Sequence, residues 1–307
     1  MSNKSIVIVG PTASGKTDLS IKLAKRIDSP VINTDSWLFY KNLDIGTGKP
    51  SKAQRSDVKH YLVDIINPRD NFSISEFVKK ASQVISQIHT KKRIPILVGG
   101  SGQYTKALVE VWDIPEVPPN SELRKSLQEI IDDKGVDFFY EKLKKDFPEN
   151  ALNIDKKNPR RLIRAYELGK NNIVRMPKSK RQSDSYKLYG LTLDRKILYS
   201  RIDERINKMI DSGWVEEVKK LIDQGCNSDS NSFSSIGYKE IYSYIMGGTN
   251  LEESISVIKK KTRNLVRHQY NWFKLSDPEI KWFDMSSHSQ DEIINQIVKD
   301  FNENWIY

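Results

Sequence analysis

Apolar residues are distributed along the chain in two textures. Short continuous runs, Ile6-Val7-Ile8-Val9, Val31-Ile32 and Ile94-Pro95-Ile96-Leu97-Val98, read as strands. Between them lie segments with helical spacing, Asp18 to Arg26 with Leu19, Ile21, Leu23 and Ala24 apolar, and Ser75 to His89. From Ser5 to about Trp112 the two textures alternate, which predicts an α/β core with a parallel sheet. The texture then changes. Pro115, Pro118 and Pro119 break the chain, and helical patterns follow from Ser121 (Leu123, Leu127, Ile130, Ile131), over Val136 to Phe147 and over Pro159 to Leu168. A β-like run, Lys187 to Leu193, is expected to return to the sheet. Helices are then predicted over Lys196 to Ile222, Tyr238 to Met246 and Leu251 to Phe273, with a short extended piece and a last helix after Pro278. No internal repeat or long low-complexity tract interrupts this order.

The first strand runs directly into Gly10-Pro11-Thr12-Ala13-Ser14-Gly15-Lys16-Thr17, a complete G-x-x-x-x-G-K-T loop that opens a helix. Such a loop curls successive backbone N–H groups round a polyphosphate, adds the Lys16 charge and the dipole of the following helix, and offers the Thr17 hydroxyl to Mg²⁺. The fold class expected is therefore α/β, a P-loop parallel-sheet core of residues 1–114 and 188–307, with a helical insertion domain, 115–187, and a helical C-terminal region. A chain of 307 residues also exceeds what one hydrophobic core usually accommodates.

The loop alone does not name a reaction. Hydrolases of this class place a metal-organising acid at the end of a neighbouring strand, and here Ile94–Val98 ends in Gly99-Gly100-Ser101. An acid does follow the second strand, in Val31-Ile32-Asn33-Thr34-Asp35-Ser36. Because loops after parallel strands gather at one sheet edge, Asp35, Ser101 and the phosphate loop should share a cleft.

Charge adds a polyanionic partner to this picture. The formal net charge is +10, and its distribution matters more than its sum. Lys259 to Lys274 contains no acid and interleaves Tyr270, Trp272 and Phe273. As a helix it puts Leu265, Gln269 and Trp272 along a packing stripe, leaving Arg263 and Arg267 for phosphates. A second basic concentration, Lys170 to Lys187, lacks apolar periodicity and reads as an exposed, mobile loop. No run approaches the roughly twenty apolar residues that span a bilayer, and the strand at Ser5 follows the N-terminus without an apolar leader, so a cytoplasmic protein is expected. The single cysteine, Cys226, leaves no internal disulfide and reads as a small apolar residue after a helix.

Taken in order, these motifs resemble the tRNA dimethylallyltransferase (tRNA isopentenyltransferase) family. The resemblance rests on G-P-T-A-S-G-K-T, Asp35-Ser36, Ile45-Gly46-Thr47-Gly48-Lys49-Pro50, His60 to Ile65 and Val98-Gly99-Gly100-Ser101-Gly102-Gln103-Tyr104. It continues through Pro159 to Ala165, Arg201 to Ile206, Ile236 to Glu240 and Gln269-Tyr270-Asn271-Trp272-Phe273, about nine tenths of the chain.

The resemblance implies transfer of a dimethylallyl group from dimethylallyl diphosphate to N6 of adenine 37, immediately 3′ of a tRNA anticodon. It implies Asp35 as the base, with Thr17 and Arg205 as the other catalytic residues. Gly10 to Thr17 would bind the diphosphate, and Mg²⁺ would be the cofactor, held at Thr17. For the tRNA anticodon stem-loop it implies Asp35, Ser36, Trp37, Leu38, Ser101, Arg124, Arg160, Arg161, Leu162, Ile163, Arg164, Ser234, Ser235, Ile236, Gly237, Tyr238 and Lys239. Arg263 and Arg267 join this set from the basic helix, and the insertion and that helix are expected to wall a tRNA channel in a monomer. Two other readings fit parts of the chain, a prenyltransferase acting on free adenine nucleotides and a P-loop small-molecule kinase or ATP-driven RNA-binding module. The helical insertion and basic C-terminal third weigh against the first, and the strand end at Gly99 against the second.

Overall fold

The computed structural model describes residues 4–174 and 185–305, with side chains as far as 301. Six strands among these residues form one parallel sheet in the order β3-β2-β4-β1-β5-β6. They are β1 (Ser5–Val9), β2 (Val31–Asn33), β3 (His60–Tyr61), β4 (Ile96–Val98), β5 (Tyr186–Thr192) and β6 (Ile280–Asp284). The helices that cross between or extend them are α1 (Lys16–Arg26), α2 (Lys52–Asp57), α3 (Ile74–Thr90), α4 (Gly102–Val109), α9 (Arg195–Asp211), α10 (Trp214–Asp223), α11 (Tyr238–Ile245), α12 (Leu251–Trp272) and α13 (Gln290–Trp305). The intervening α5 (Ser121–Lys134), α6 (Val136–Asp146), α7 (Pro148–Ala151) and α8 (Pro159–Lys170) form a separate body. The chain thus divides into Met1–Glu110 with Gln182–Tyr307, and Val111–Arg181.

The continuous apolar texture of β1 follows from burial on both faces, as crossover helices cover each side of a parallel sheet. Ile6 and Ile8 point into a core with Leu19 and Leu23 of α1 and Ile293 and Ile297 of α13. Val7 and Val9 point the other way, onto Phe77, Ala81 and Ile85 of α3. Each such aliphatic side chain contributes about 1.5–3 kcal/mol when fully buried. Pairing is in step across the sheet, Ile8 opposite Val98 and Val9 opposite Gly190, so the carboxyl ends of β1, β2, β4 and β5 come to one edge. The loop 10–17, Asp35 and Ser101 leave from that edge.

A third core binds the C-terminal helices, with Leu198, Ile202 and Ile206 of α9, Trp214, Val218 and Leu221 of α10, and Ile258 and Val266 of α12. Cys226 is a buried free thiol within it, an apolar role as expected. Two sequence expectations are corrected here. The helix expected over Lys196 to Ile222 is two, because Gly213 takes φ 95° and redirects the chain between α9 and α10. The packed stripe of α12 runs through Ile258, Val266 and Gln269, so Val266 occupies the place expected of Leu265, one residue out of phase. In the helical body, Leu127, Ile131, Phe139, Leu143 and Leu162 form the core, with Asn120 capping α5 and Asn158 capping α8 ahead of Pro159. Most of the basic loop expected over Lys170 to Lys187, residues 175–184, lies outside the described residues.

Candidate active site

The loop 10–17 is shaped by two glycines with different duties. Gly10 has φ 139°, and a Cβ there would lie 2.3 Å from the Leu191 carbonyl oxygen of β5, so no side chain fits. Gly15, at φ 92°, turns the chain into α1 in a left-handed conformation. Lys16 Nζ donates to the Pro11 carbonyl at 2.6 Å and is drawn back over the loop. Removal from water pushes the Lys16 ammonium down to about 8; the Asp35 carboxylate opposes the shift and the Arg205 guanidinium adds to it. The Ser14 hydroxyl is buried without a hydrogen-bond partner. Such an orphaned group, beside a strained loop at a helix N-terminus, matches a site built to receive anionic oxygens.

Asp35 follows β2 and caps the 3₁₀ turn Ser36–Phe39, accepting from the Trp37 N–H at 3.1 Å. Its backbone is clamped by Asn33, whose side chain accepts from the Asp35 N–H at 2.8 Å and donates to the Asp35 carbonyl at 2.9 Å. The Ser101 hydroxyl donates to Oδ1 at 3.3 Å while accepting from the Ser36 N–H at 3.1 Å. A carboxylate so held is an acceptor with its second oxygen, Oδ2, left to other donors.

Gln269 joins the strand ends, a role that its place on the helix packing stripe does not reveal. It accepts from the Thr12 N–H at 2.8 Å and donates to the Gly100 carbonyl at 3.2 Å, tying the phosphate loop to the loop after β4. Gly100 and Gly102 are glycines because a Cβ would lie 2.3 Å from Gln269 Nε2 at the first and 2.2 Å from the Trp272 ring at the second. The partners are separated by up to 257 positions, so no local pattern could have revealed the contact.

Arg205, on α9, enters the same cleft. Loss of water is the largest influence on its guanidinium and lowers its pKa, against the attraction of Asp35 and Asp18. No hydrogen bond or ion pair among the described residues engages it. The loop Asp44 to Lys49 lies against it, and a Cβ on Gly48 (φ 62°) would fall 1.7 Å from Arg205 Nη2. Beyond Arg205 a depression of about 540 Å³ is lined by Asp44, Ile45, Arg201, Glu204 and Lys208. Lys16 and Arg205, both half-buried, thus lie close enough to Asp35 for its charge to act on each.

The residues expected at tRNA fall into three groups by exposure. Ser36, Trp37, Leu38 and Ser101 are half-buried around Asp35, and Ser234, Lys239 and Arg267 are exposed. Arg160 and Arg161 are exposed on the first turn of α8. Leu162 and Ile163, 0% and 7% exposed, are core residues of the helical body. Of the residues 160–164 only Arg160 and Arg161 are exposed. Likewise Ser235, Gly237 and Tyr238 are buried, with Gly237 against the Trp214 ring, Ile236 is half-buried against the third core, and only Ser234 and Lys239 are exposed.

Three arginines carry internal duties. Arg124 meets the buried Glu167 through two bonds, Nε to Oε1 at 3.0 Å and Nη2 to Oε2 at 2.7 Å, and Arg164 pairs with the same carboxylate. Burial works against the Glu167 charge, but Arg124, the Asn120 N–H and Arg164 outweigh it and hold its pKa below the usual range. Arg164 also donates to the Val117 carbonyl at 3.1 Å, fixing the proline segment. Arg263 pairs with Asp203 and lies over the Tyr199 ring, 5.6 Å from its centroid.

The parallel sheet, with its glycine-lined loop leaving the carboxyl edge into a helix N-terminus, defines a P-loop-type α/β protein. Residues 38–276 match the model of the IPP transferase family, and the chain belongs to that family. It is 39% identical over 310 residues to the tRNA dimethylallyltransferase of Natranaerobius thermophilus, covering 97% of this chain and 92% of that one. It is also 39% identical over 310 residues to the Carboxydothermus hydrogenoformans tRNA dimethylallyltransferase, covering 99% of each. Among solved structures, the full-length tRNA isopentenylpyrophosphate transferase of Bacillus halodurans aligns with TM-score 0.72 and 36% identity, over 98% of this chain and 97% of that one. A eukaryotic dimethylallyltransferase acting on tRNA shares the fold, with TM-score 0.80 at 24% identity over 98% of this chain and 80% of that one.

Proposed function

We propose that the protein transfers a dimethylallyl group from dimethylallyl diphosphate to N6 of adenine 37 in tRNA, releasing diphosphate. The observation that carries this reading is the gathering of Lys16, drawn back over the phosphate loop, and Arg205 within reach of the charge of Asp35. The diphosphate would lie on the N–H groups of Gly10 to Thr17 with Lys16 and Arg205 on its oxygens, so that charge developing on the leaving group meets preorganised donors. A neutral exocyclic amine is a weak nucleophile because its lone pair is delocalised into the ring. Asp35, oriented by Ser101 and the Trp37 N–H, would accept the N6 proton as nitrogen bonds to the allylic carbon and the carbon–oxygen bond breaks.

The residues fit a Mg²⁺ that arrives with the diphosphate. The described residues hold no cluster of three carboxylate, imidazole or thiol groups, whereas the half-buried Thr17 stands in the first turn of α1. Thr17 and diphosphate oxygens would hold the ion, which would supply further charge neutralisation.

For tRNA, the half-buried Ser36, Trp37 and Leu38 beside Asp35 suit an adenine drawn out of its stack, at a cost of a few kcal/mol. Arg160, Arg161, Lys239 and Arg267 supply exposed charge for the phosphates. Purified protein given dimethylallyl diphosphate with tRNA, with AMP, or with tRNA and ATP in its place tests the reading. Prenyl transfer to tRNA alone is expected. Transfer to AMP would favour the nucleotide prenyltransferase, and ATP consumption dependent on Lys16 the nucleotide-driven alternative.

A further inference from the structure

Among the described residues no hydrogen bond or ion pair holds the Arg205 guanidinium, so its position depends on its packing, which includes Gly48. The loop carrying Gly48 is a tight turn, closed by the Gly48 N–H on the Ile45 carbonyl at 2.9 Å and the Lys49 N–H on the Asp44 carbonyl at 3.0 Å. Its far end is fixed by Lys49, whose buried ammonium donates to the Tyr40 carbonyl, Asp44 and Asp64 at 2.8, 2.6 and 2.5 Å. Its near end is fixed by one side chain from α10. Glu217 Oε2 accepts from the N–H groups of Asp44 and Ile45 at 2.9 and 2.7 Å, and Oε1 from Gly46 N–H at 3.2 Å and the Tyr238 hydroxyl at 2.7 Å. These four donors occupy about all the lone-pair sites of a carboxylate. Trp214, one turn earlier on α10, closes over Gly46, where a Cβ would lie 2.1 Å from its Nε1.

We propose that Glu217 is a positioning residue for the transfer reaction: by gripping Asp44 to Gly46 it sets Gly48 against Arg205 and so aims the guanidinium at the diphosphate. This rests on the diphosphate reading of the cleft. Glu217 touches neither substrate, and its influence runs through Arg205. Replacing it frees three backbone donors at once and lets the turn shift, and displacements near 1 Å at a reacting centre cost up to about 100-fold.

A double-mutant cycle tests this. Dissociation constants for dimethylallyl diphosphate, measured without tRNA by titration calorimetry, are compared for the wild type, Glu217→Ala, Arg205→Ala and the double variant. Glu217→Ala is expected to weaken binding about 10- to 100-fold in the presence of Arg205 and less than about twofold in its absence. Glu217→Gln should fall between wild type and Glu217→Ala, since its amide can still accept from Asp44 and Ile45 and donate to the Tyr238 oxygen. It serves as the cycle's second arm should Glu217→Ala fail to fold. Equal losses with and without Arg205, or wild-type affinity in both Glu217 variants, would overturn the inference. Absence of diphosphate binding by the wild type would instead overturn the reading of the cleft on which it rests.

Discussion

At the residue scale, two groups govern the proposed chemistry and each has its own experiment. Asp35 is held by the Ser101 hydroxyl and the Trp37 N–H, both of which an asparagine oxygen could still satisfy. Asp35→Asn should therefore preserve the local structure and tRNA affinity while lowering turnover by about 10² to 10⁴, the usual worth of a positioned base. Near-normal turnover in single-turnover assays would remove Asp35 from proton transfer. Lys16 carries the pH dependence. With its pKa lowered to about 8, the free protein loses this charge as pH rises through 8, so the affinity for dimethylallyl diphosphate should be flat below that value and fall above it. Calorimetric titration from pH 6.5 to 9.5 checks this, and Lys16→Arg should abolish the fall. The sign for folding is opposite. The unfolded lysine, near 10.5, binds more protons between about 8 and 10.5, so this group's contribution to stability rises with pH across that window.

At the scale of elements, the arginines expected to meet RNA divide into two kinds. Arg124 and Arg164 neutralise the fully buried Glu167 and fix the turn before α5, whereas Arg160 and Arg161 are exposed on α8. Arg124→Ala should lower the melting temperature of the helical body, since it strips two bonds from a buried carboxylate, at a cost of about 1–3 kcal/mol. Arg160→Ala with Arg161→Ala should leave melting unchanged and weaken tRNA binding. The slope of log K against log salt should then shrink by about 0.7 to 0.9 per lost phosphate contact. An unchanged slope would return both side chains to the solvated surface. The contrast also shows what a motif conceals. In Pro159 to Ala165 the helical period alternates buried and exposed positions, so adjacent residues of one motif, Arg161 and Leu162, serve solvent and core respectively.

At the scale of the molecule, most of the fold was legible because its signals are local. Continuous apolar runs marked β1, β2, β4 and β5, 3.6-residue spacing the longer helices, and the loop 10–17 its own strand and helix, whereas the two-residue β3 and the short α2, α4 and α7 carry no such pattern. The candidate cleft was legible in part: parallel topology alone brings Gly10, Asp35 and Ser101 to one edge. The residues that hold them there were not. Gln269 spans the phosphate loop and Gly100, and Glu217 grips a turn 171 to 173 positions away. Their polar side chains look ordinary until the chain is folded. Val266 in place of Leu265 arose the same way, as a one-residue phase choice that only the partner helices decide.

The proposed reaction leaves a specific covalent change in tRNA that mass spectrometry reads directly. Total tRNA from a strain lacking this gene, with and without a plasmid copy, is digested to nucleosides and analysed by mass spectrometry. N6-isopentenyladenosine should disappear with the gene, return with the wild-type copy, and not return with Asp35→Asn. Undiminished isopentenyladenosine in the strain lacking the gene would contradict the proposed reaction.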